Sequence, residues 1–221
     1  MAQETVMDRM REENAVHRIT LALGAAGIAW GLIVAIAAGS GVLRSLDPLL
    51  IGPLVALGIA MPVTAYFLSP TLKAYVHTVG PYPLTVLHVW RIPAALVFFW
   101  YGAHGALPPV FWILAGGGDL VSGMLALPLL RGPVGRGAYL SKHLFGFTDF
   151  AVAVGTGLTL TLLHDPRMAP IRDLPLAFIP LFGVGISGAS HIIALHLLWA
   201  TRGTAPAASL AAAATAPAPI V

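Results

Sequence analysis

Arg91, Asp119 and Asp149 stand in stretches otherwise apolar enough to span a bilayer. An ionisable group inside hydrocarbon costs roughly 2.5–3.5 kcal/mol on insertion scales, so such groups face a bundle interior and find partners. One chemistry open to them is an internal salt bridge, with Arg91 neutralising an aspartate and locking helix packing. The other follows from the charge count. Two carboxylates against one guanidinium leave one uncompensated negative charge, which in a low dielectric calls for a proton or another cation. A carboxyl that gains and loses a proton serves coupled transport, so the leading expectation is small-solute or proton/ion-coupled transport.

Histidines extend the set. His88 lies three residues before Arg91 and shares its helix face, while His191 and His196 lie in the last apolar run, with Ser187 on the His191 face. The candidate buried polar site is therefore Arg91, Asp119, Asp149, His88, His191 and His196, with no metal-ligating set expected. Membrane b-type cytochromes hold haem between histidines on facing helices. His88, His143, His191 and His196 qualify by position. His191 and His196 are five residues apart, hence about 140° apart around a helix, and do not face one haem together. A pair such as His88 with His191 is geometrically possible, so a haem b electron carrier is the alternative reading. A non-catalytic membrane subunit of a larger complex is a third. His17, His77, His104 and His164 fall in loops or at the ends of apolar runs, where a solvated role is expected.

Enzyme motifs are absent. The chain has no HExxH, P-loop or nucleophile elbow. Gly116–Gly118 lacks the preceding strand and the lysine that a phosphate cradle needs.

The elements that must position these groups are legible as long apolar runs. Of 221 residues, 57% are hydrophobic and 10% charged, with a mean hydropathy of +0.85. Soluble domains carry about 25% charged residues, so the expected class is all-α, a polytopic membrane bundle. A span needs about 20 mainly apolar residues. Six runs qualify: Ile19–Val42, Pro48–Leu68, Pro83–Gly102, Pro108–Leu130, Leu140–Leu163 and Leu174–Ala200. None alternates as strands would. The pI near 9.6 does not indicate nucleic acid, because the excess is only +3 and forms no stripe. Cysteine is absent, which removes thiolate chemistry.

Loop charges set the orientation. With the N-terminus inside, Arg9, Arg11, Arg18, Lys73, Arg131, Arg136, Lys142 and Arg202 lie inside and Arg44, Arg167 and Arg172 outside, which favours cytoplasmic termini and an inner-membrane location. Residues 1–18 read as a cytoplasmic segment without a cleavable signal, 19–202 as the membrane domain, and 203–221 as a disordered Ala/Pro-rich tail. Ser69–Tyr82 reads as an interfacial helix, and the five tryptophans as interface anchors. In the fourth run, Gly116, Gly117 and Gly118 precede Asp119. They permit either a continuous helix packed very closely or a break with Asp119 capping the piece that follows. Gly27-x-x-x-Gly31 and Gly185-x-x-x-Ala189 read as faces for close helix packing within the chain. Expected partners are the lipid bilayer, and either a second copy or a partner membrane subunit.

Helical rise puts Arg91 about 12 Å into its run and Asp149 at a similar depth, so that Arg91, Asp149 and His191 share a level. The segments His88-Val-Trp-Arg91-Ile-Pro, Gly105-Ala-Leu-Pro-Pro, Ala115-Gly-Gly-Gly-Asp119, Phe147-Thr-Asp149 and Leu195-His196-Leu-Leu resemble a family of small bacterial multi-span membrane proteins with no assigned activity. The resemblance covers roughly residues 85–200. It implies that Arg91, Asp119, Asp149 and His196 belong to one framework, and it carries no catalytic residues; His191 falls outside its pattern.

Overall fold

The computed structural model describes residues 2–202 and is all-α, with no strand among the described residues. The expected tail 203–221 lies outside them. Six stretches are long and apolar enough to cross a membrane: α1 Met10–Gly39, α2 Pro48–Leu68, α3 Pro81–Ala103, α4 Pro109–Arg131, α5 Arg136–Leu162 and α6 Ile179–Ala200. Together they make the architecture of a multi-span membrane protein. The helix carrying α1 already begins at Ala2, so the polar N-terminal segment continues the first span as helix.

Side chains that supply donors or acceptors mark the element starts. Asp47 accepts a hydrogen bond from the Leu49 amide (2.8 Å) ahead of Pro48, and Ser69 accepts one from Leu72 ahead of Pro70. These caps satisfy amides that have no partner in the first turn. Ser69 opens the helix Pro70–Val79, which lies where an interfacial helix is expected. Prolines reshape two spans. Pro93 cannot donate to Val89, and the turn just before it, Leu87–Trp90, winds as a 3-10 helix. Pro180 lies in a π turn, Ile179–Gly183, at the head of α6.

α6 is the most buried span and the centre of the bundle. Glycines set the spacing around it. α4 is continuous through Gly116–Gly118, so Asp119 is mid-helix and caps nothing. The physical reason is close approach. A Cβ on Gly116 would meet the Phe99 ring at 2.8 Å, and one on Gly123 would meet Ile92 at 2.6 Å, so α3 lies against bare backbone. Three of the five tryptophans pack on glycines. Trp30 seats α1 in a notch formed by Gly58 of α2 and Gly185 of α6, Trp90 packs on Gly183, and Trp112 packs on Gly102. Trp100 and Trp199 remain exposed. Of the small-residue pair in α1, Gly31 meets Phe182 at 3.5 Å, whereas Gly27 faces open space.

Candidate functional site

Arg91 stands where the 3-10 turn of α3 passes into regular helix, and its guanidinium reaches two neighbouring spans. Nε donates to Asp119 Oδ1 of α4 (2.5 Å), Nη1 to Ser122 Oγ of α4 (2.7 Å), and Nη2 to Asp149 Oδ2 of α5. All three ionised groups are buried. The fork of donors suits this geometry, since one guanidinium presents several N–H groups in a plane. Gly118 makes room for the second acid, because a Cβ there would collide with the Asp149 carboxylate.

The charge count differs from the one expected from sequence. Lys142, assigned above to an inner loop, is 3% exposed within α5, and its Nζ donates to the Ser122 carbonyl (2.9 Å). A second basic group, Lys142, therefore shares this part of the interior with Arg91 and the two carboxylates. Lysine at a span end reads in sequence as a topology marker. Its long stem here lets the ammonium turn inward onto a backbone acceptor.

Beside the charges lies a histidine cluster. His88, His143 and His191 are fully buried, and one nitrogen of each lies within 4.8 Å of the others. His88 stacks on His191 with ring centroids 4.0 Å apart. His143 Nδ1 is 2.9 Å from His191 Nδ1. Hydroxyls hold the outer edges: Thr85 Oγ1 is 2.9 Å from His143 Nε2, and Ser190 Oγ is 3.0 Å from His88 Nε2. Ser187, expected on the His191 face, accepts a hydrogen bond from Trp90 Nε1 (3.0 Å). Stacked rings leave no gap for a porphyrin plane between His88 and His191, so a haem there would require them to part.

His196 stands apart from this site. Its Nδ1 is 2.8 Å from the Tyr66 hydroxyl and its ring packs on Phe67. The five-residue offset from His191 already turns it toward α2, so the single framework that the resemblance implied divides in two. Of the expected residues, the structure brings Arg91 into contact with Asp119 and Asp149, and His88 into contact with His191. Sequence reasoning missed Lys142, Ser122, Thr85 and Ser190, and weighed His143 only for haem. Six residues separate His143 from Asp149, which leaves them about 120° apart around the helix, so helical phase alone did not place His143 on the Asp149 face.

A cavity of about 660 Å³ opens beside the charges. Its walls are apolar side chains of α2, α4, α5 and α6, among them Val55, Phe111, Phe150, Val154 and Ile179. Arg91 and Asp119 line it at depth, and Asp47, His164, Asp165 and Arg172 line it at the loops joining α1 to α2 and α5 to α6. Arg172 also donates to the Leu46 carbonyl (3.0 Å), and Arg44 pairs with Asp173, which ties those two loops together.

An all-α bundle of six apolar stretches with a paired ionic cluster in its interior defines the class as a membrane protein. The chain belongs to the family described as Domain of unknown function (DUF8737), whose model matches residues 48–199. The match spans α2 to α6 and hence the whole cluster. Comparison with curated proteins gives no match, and neither does comparison with solved structures.

Proposed function

We propose that this protein carries a small, largely apolar solute across a membrane, with movement coupled to protonation of the Asp119–Arg91–Asp149 cluster. The observation that carries this reading is the placement of Arg91 and Asp119 on an otherwise apolar cavity of about 660 Å³. That volume lies in the range of small-molecule sites, which combine apolar walls with a few convergent polar groups. An intramembrane acid that borders a cavity is a coupling element by its chemistry. When ionised it holds Arg91; when protonated it releases one hydrogen bond and lets the guanidinium lean toward the other acid. The two states differ in which helices Arg91 ties together, and a shift of α4 against α5 would change access to the cavity.

The same reading places the chain in a bacterial cytoplasmic membrane with both ends inside, supported by the excess of Lys and Arg on that side. Reporter fusions at residues 45, 105 and 168 are expected to read as external, and a cytoplasmic signal at all three overturns the orientation.

Purified protein in vesicles loaded with a pH-sensitive dye tests the function. An imposed proton gradient is expected to drive uptake of small apolar solutes from a test panel, with Asp119→Asn and Asp149→Asn each lowering the rate at least tenfold. A protein that moves no proton and no solute under any gradient sinks the proposal.

A further inference from the structure

We infer that His88, His143 and His191 form a three-imidazole site for a monovalent late transition metal, Cu(I) being the natural occupant. The hydrogen-bond network points to it. Thr85 Oγ1 donates its one proton to the Pro81 carbonyl (2.7 Å), and Ser190 Oγ donates its own to the Ser187 carbonyl (2.8 Å). Each hydroxyl is then left to accept from a histidine Nε2–H. His143 and His88 therefore carry their protons on Nε2 and present bare lone pairs on Nδ1. His88 Nδ1 is buried with no hydrogen-bond partner. The His143 lone pair faces His191 Nδ1, which supplies the hydrogen between them, so His191 Nε2 is a lone pair, and it too is buried without a partner. Buried polar atoms of described residues are otherwise almost all satisfied, and two of the three exceptions fall on this cluster.

This is the pattern of a ligand set. Imidazoles that bind metal have the far nitrogen fixed by a hydrogen bond, which settles tautomer and ring direction. Thr85 and Ser190 do this for two of the three rings. For His191, metal uptake moves its proton from Nδ1 to Nε2, which lies against the Gly146 backbone, and frees Nδ1 for the ion. No proton leaves the protein and no group is oxidised or reduced. One nitrogen of each ring already lies within 4.8 Å of the others, and sharing one ion requires His88 to turn out of its stack on His191 so that their in-plane lone pairs converge.

The charge of the surroundings selects the ion. Asp119 and Asp149 are already engaged by Arg91, and the three imidazoles are neutral, so no anionic ligand offsets the charge that an ion brings into this dry interior. The cost of burying an ion rises with the square of its charge, about fourfold from monovalent to divalent. Imidazole accepts zinc, nickel, iron or copper, and with no anionic ligand in the set the monovalent ion is the one favoured. The site stands independently of the transport reading, because it uses neither the cavity nor a moving helix.

The test is anaerobic titration of the full-length wild-type protein in detergent with Cu(I) against a chromogenic chelator, with Zn(II) run in parallel. One equivalent of Cu(I) is expected, held at least tenfold more tightly than zinc. X-ray absorption of the loaded wild type is expected to show nitrogen and no sulfur neighbours, a readout that does not depend on any variant folding. His143→Gln, in a preparation that unfolds cooperatively, is expected to weaken uptake at least 100-fold. No stoichiometric uptake by the wild type, sulfur ligation, zinc bound as tightly as Cu(I), or undiminished uptake by the variant would each overturn the inference.

Discussion

The Asp149 carboxylate lies directly over Gly118, in the space a side chain at that position would fill. The ion pair of Asp149 in α5 with Arg91 in α3 thus fits only because α4 presents bare backbone at Gly118. Gly118→Ala is expected to destabilise by about 1–3 kcal/mol, as overpacking of a tight interior does. Gly117 faces open space, and Gly117→Ala is expected to be neutral or to stabilise by up to about 1 kcal/mol through helix propensity. Thermal unfolding in detergent compares the two, and equal effects would contradict the packing described.

Arg91 is the partner of both acids, so its loss strands two buried carboxylates. Arg91→Met is expected to cost about 3–5 kcal/mol, the usual penalty for breaking a buried pair from one side. Adding Asp119→Asn and Asp149→Asn should restore most of that stability by removing the orphaned charge. A triple variant no more stable than Arg91→Met alone would show that the pairing is not what the helices depend on.

Filling the cavity should separate passage from folding. Ala153 lines it, and Ala153→Trp is expected to abolish solute uptake in vesicles while the protein still unfolds cooperatively. Undiminished uptake by a folded variant would remove the cavity from the transport path.

α1 depends on one aromatic anchor. Gly185→Val should push Trp30 out of its notch and destabilise by about 1–3 kcal/mol, whereas Gly27→Ala, facing open space, should change little. Thermal unfolding of the two variants checks this, and similar values would refute the anchoring role.

Outside the membrane, Asp165 provides a pH dependence of known sign. Its hydrogen bonds from Arg167 hold its carboxyl below the ordinary carboxylate range, and the same pair raises Arg167. A depressed folded value means the stabilisation is present above the ordinary aspartate pKa of about 3.9 and is lost as pH falls through the lower folded value. Asp165→Asn should therefore be less stable than the wild type at neutral pH, with the difference closing below about pH 4. A gap that persists at acid pH would show that the lost charge is not its cause, since Asn keeps an oxygen able to accept from the Arg167 amide.

The number of spans and the meeting of Arg91 with Asp119 and Asp149 were legible in the chain, whereas the first span, expected over 19–42, lies at Met10–Gly39, and the sixth, expected from Leu174, begins at Ile179. Lipid leaves few options: backbone groups must bond within their own span, and buried charges must pair. One-dimensional depth along each run was enough to bring Arg91, Asp149 and His191 to one level. Angular position around each helix, and which helices touch, were not legible. The glycines of α4 read equally well as a break or a contact face until Phe99 and Ile92 were found against them. Lys142 looked like a loop charge because composition cannot tell an ammonium that snorkels to water from one that turns onto the Ser122 carbonyl. His196 and His143 exchanged importance for the same reason, since a ring's partner is fixed by rotation about the helix axis and by the neighbour that packs there. The sequence alone determined a helical bundle with charges inside. Tertiary packing decided which charges balance, which histidines cluster, and where the cavity opens, because those depend on distances between residues far apart in the chain.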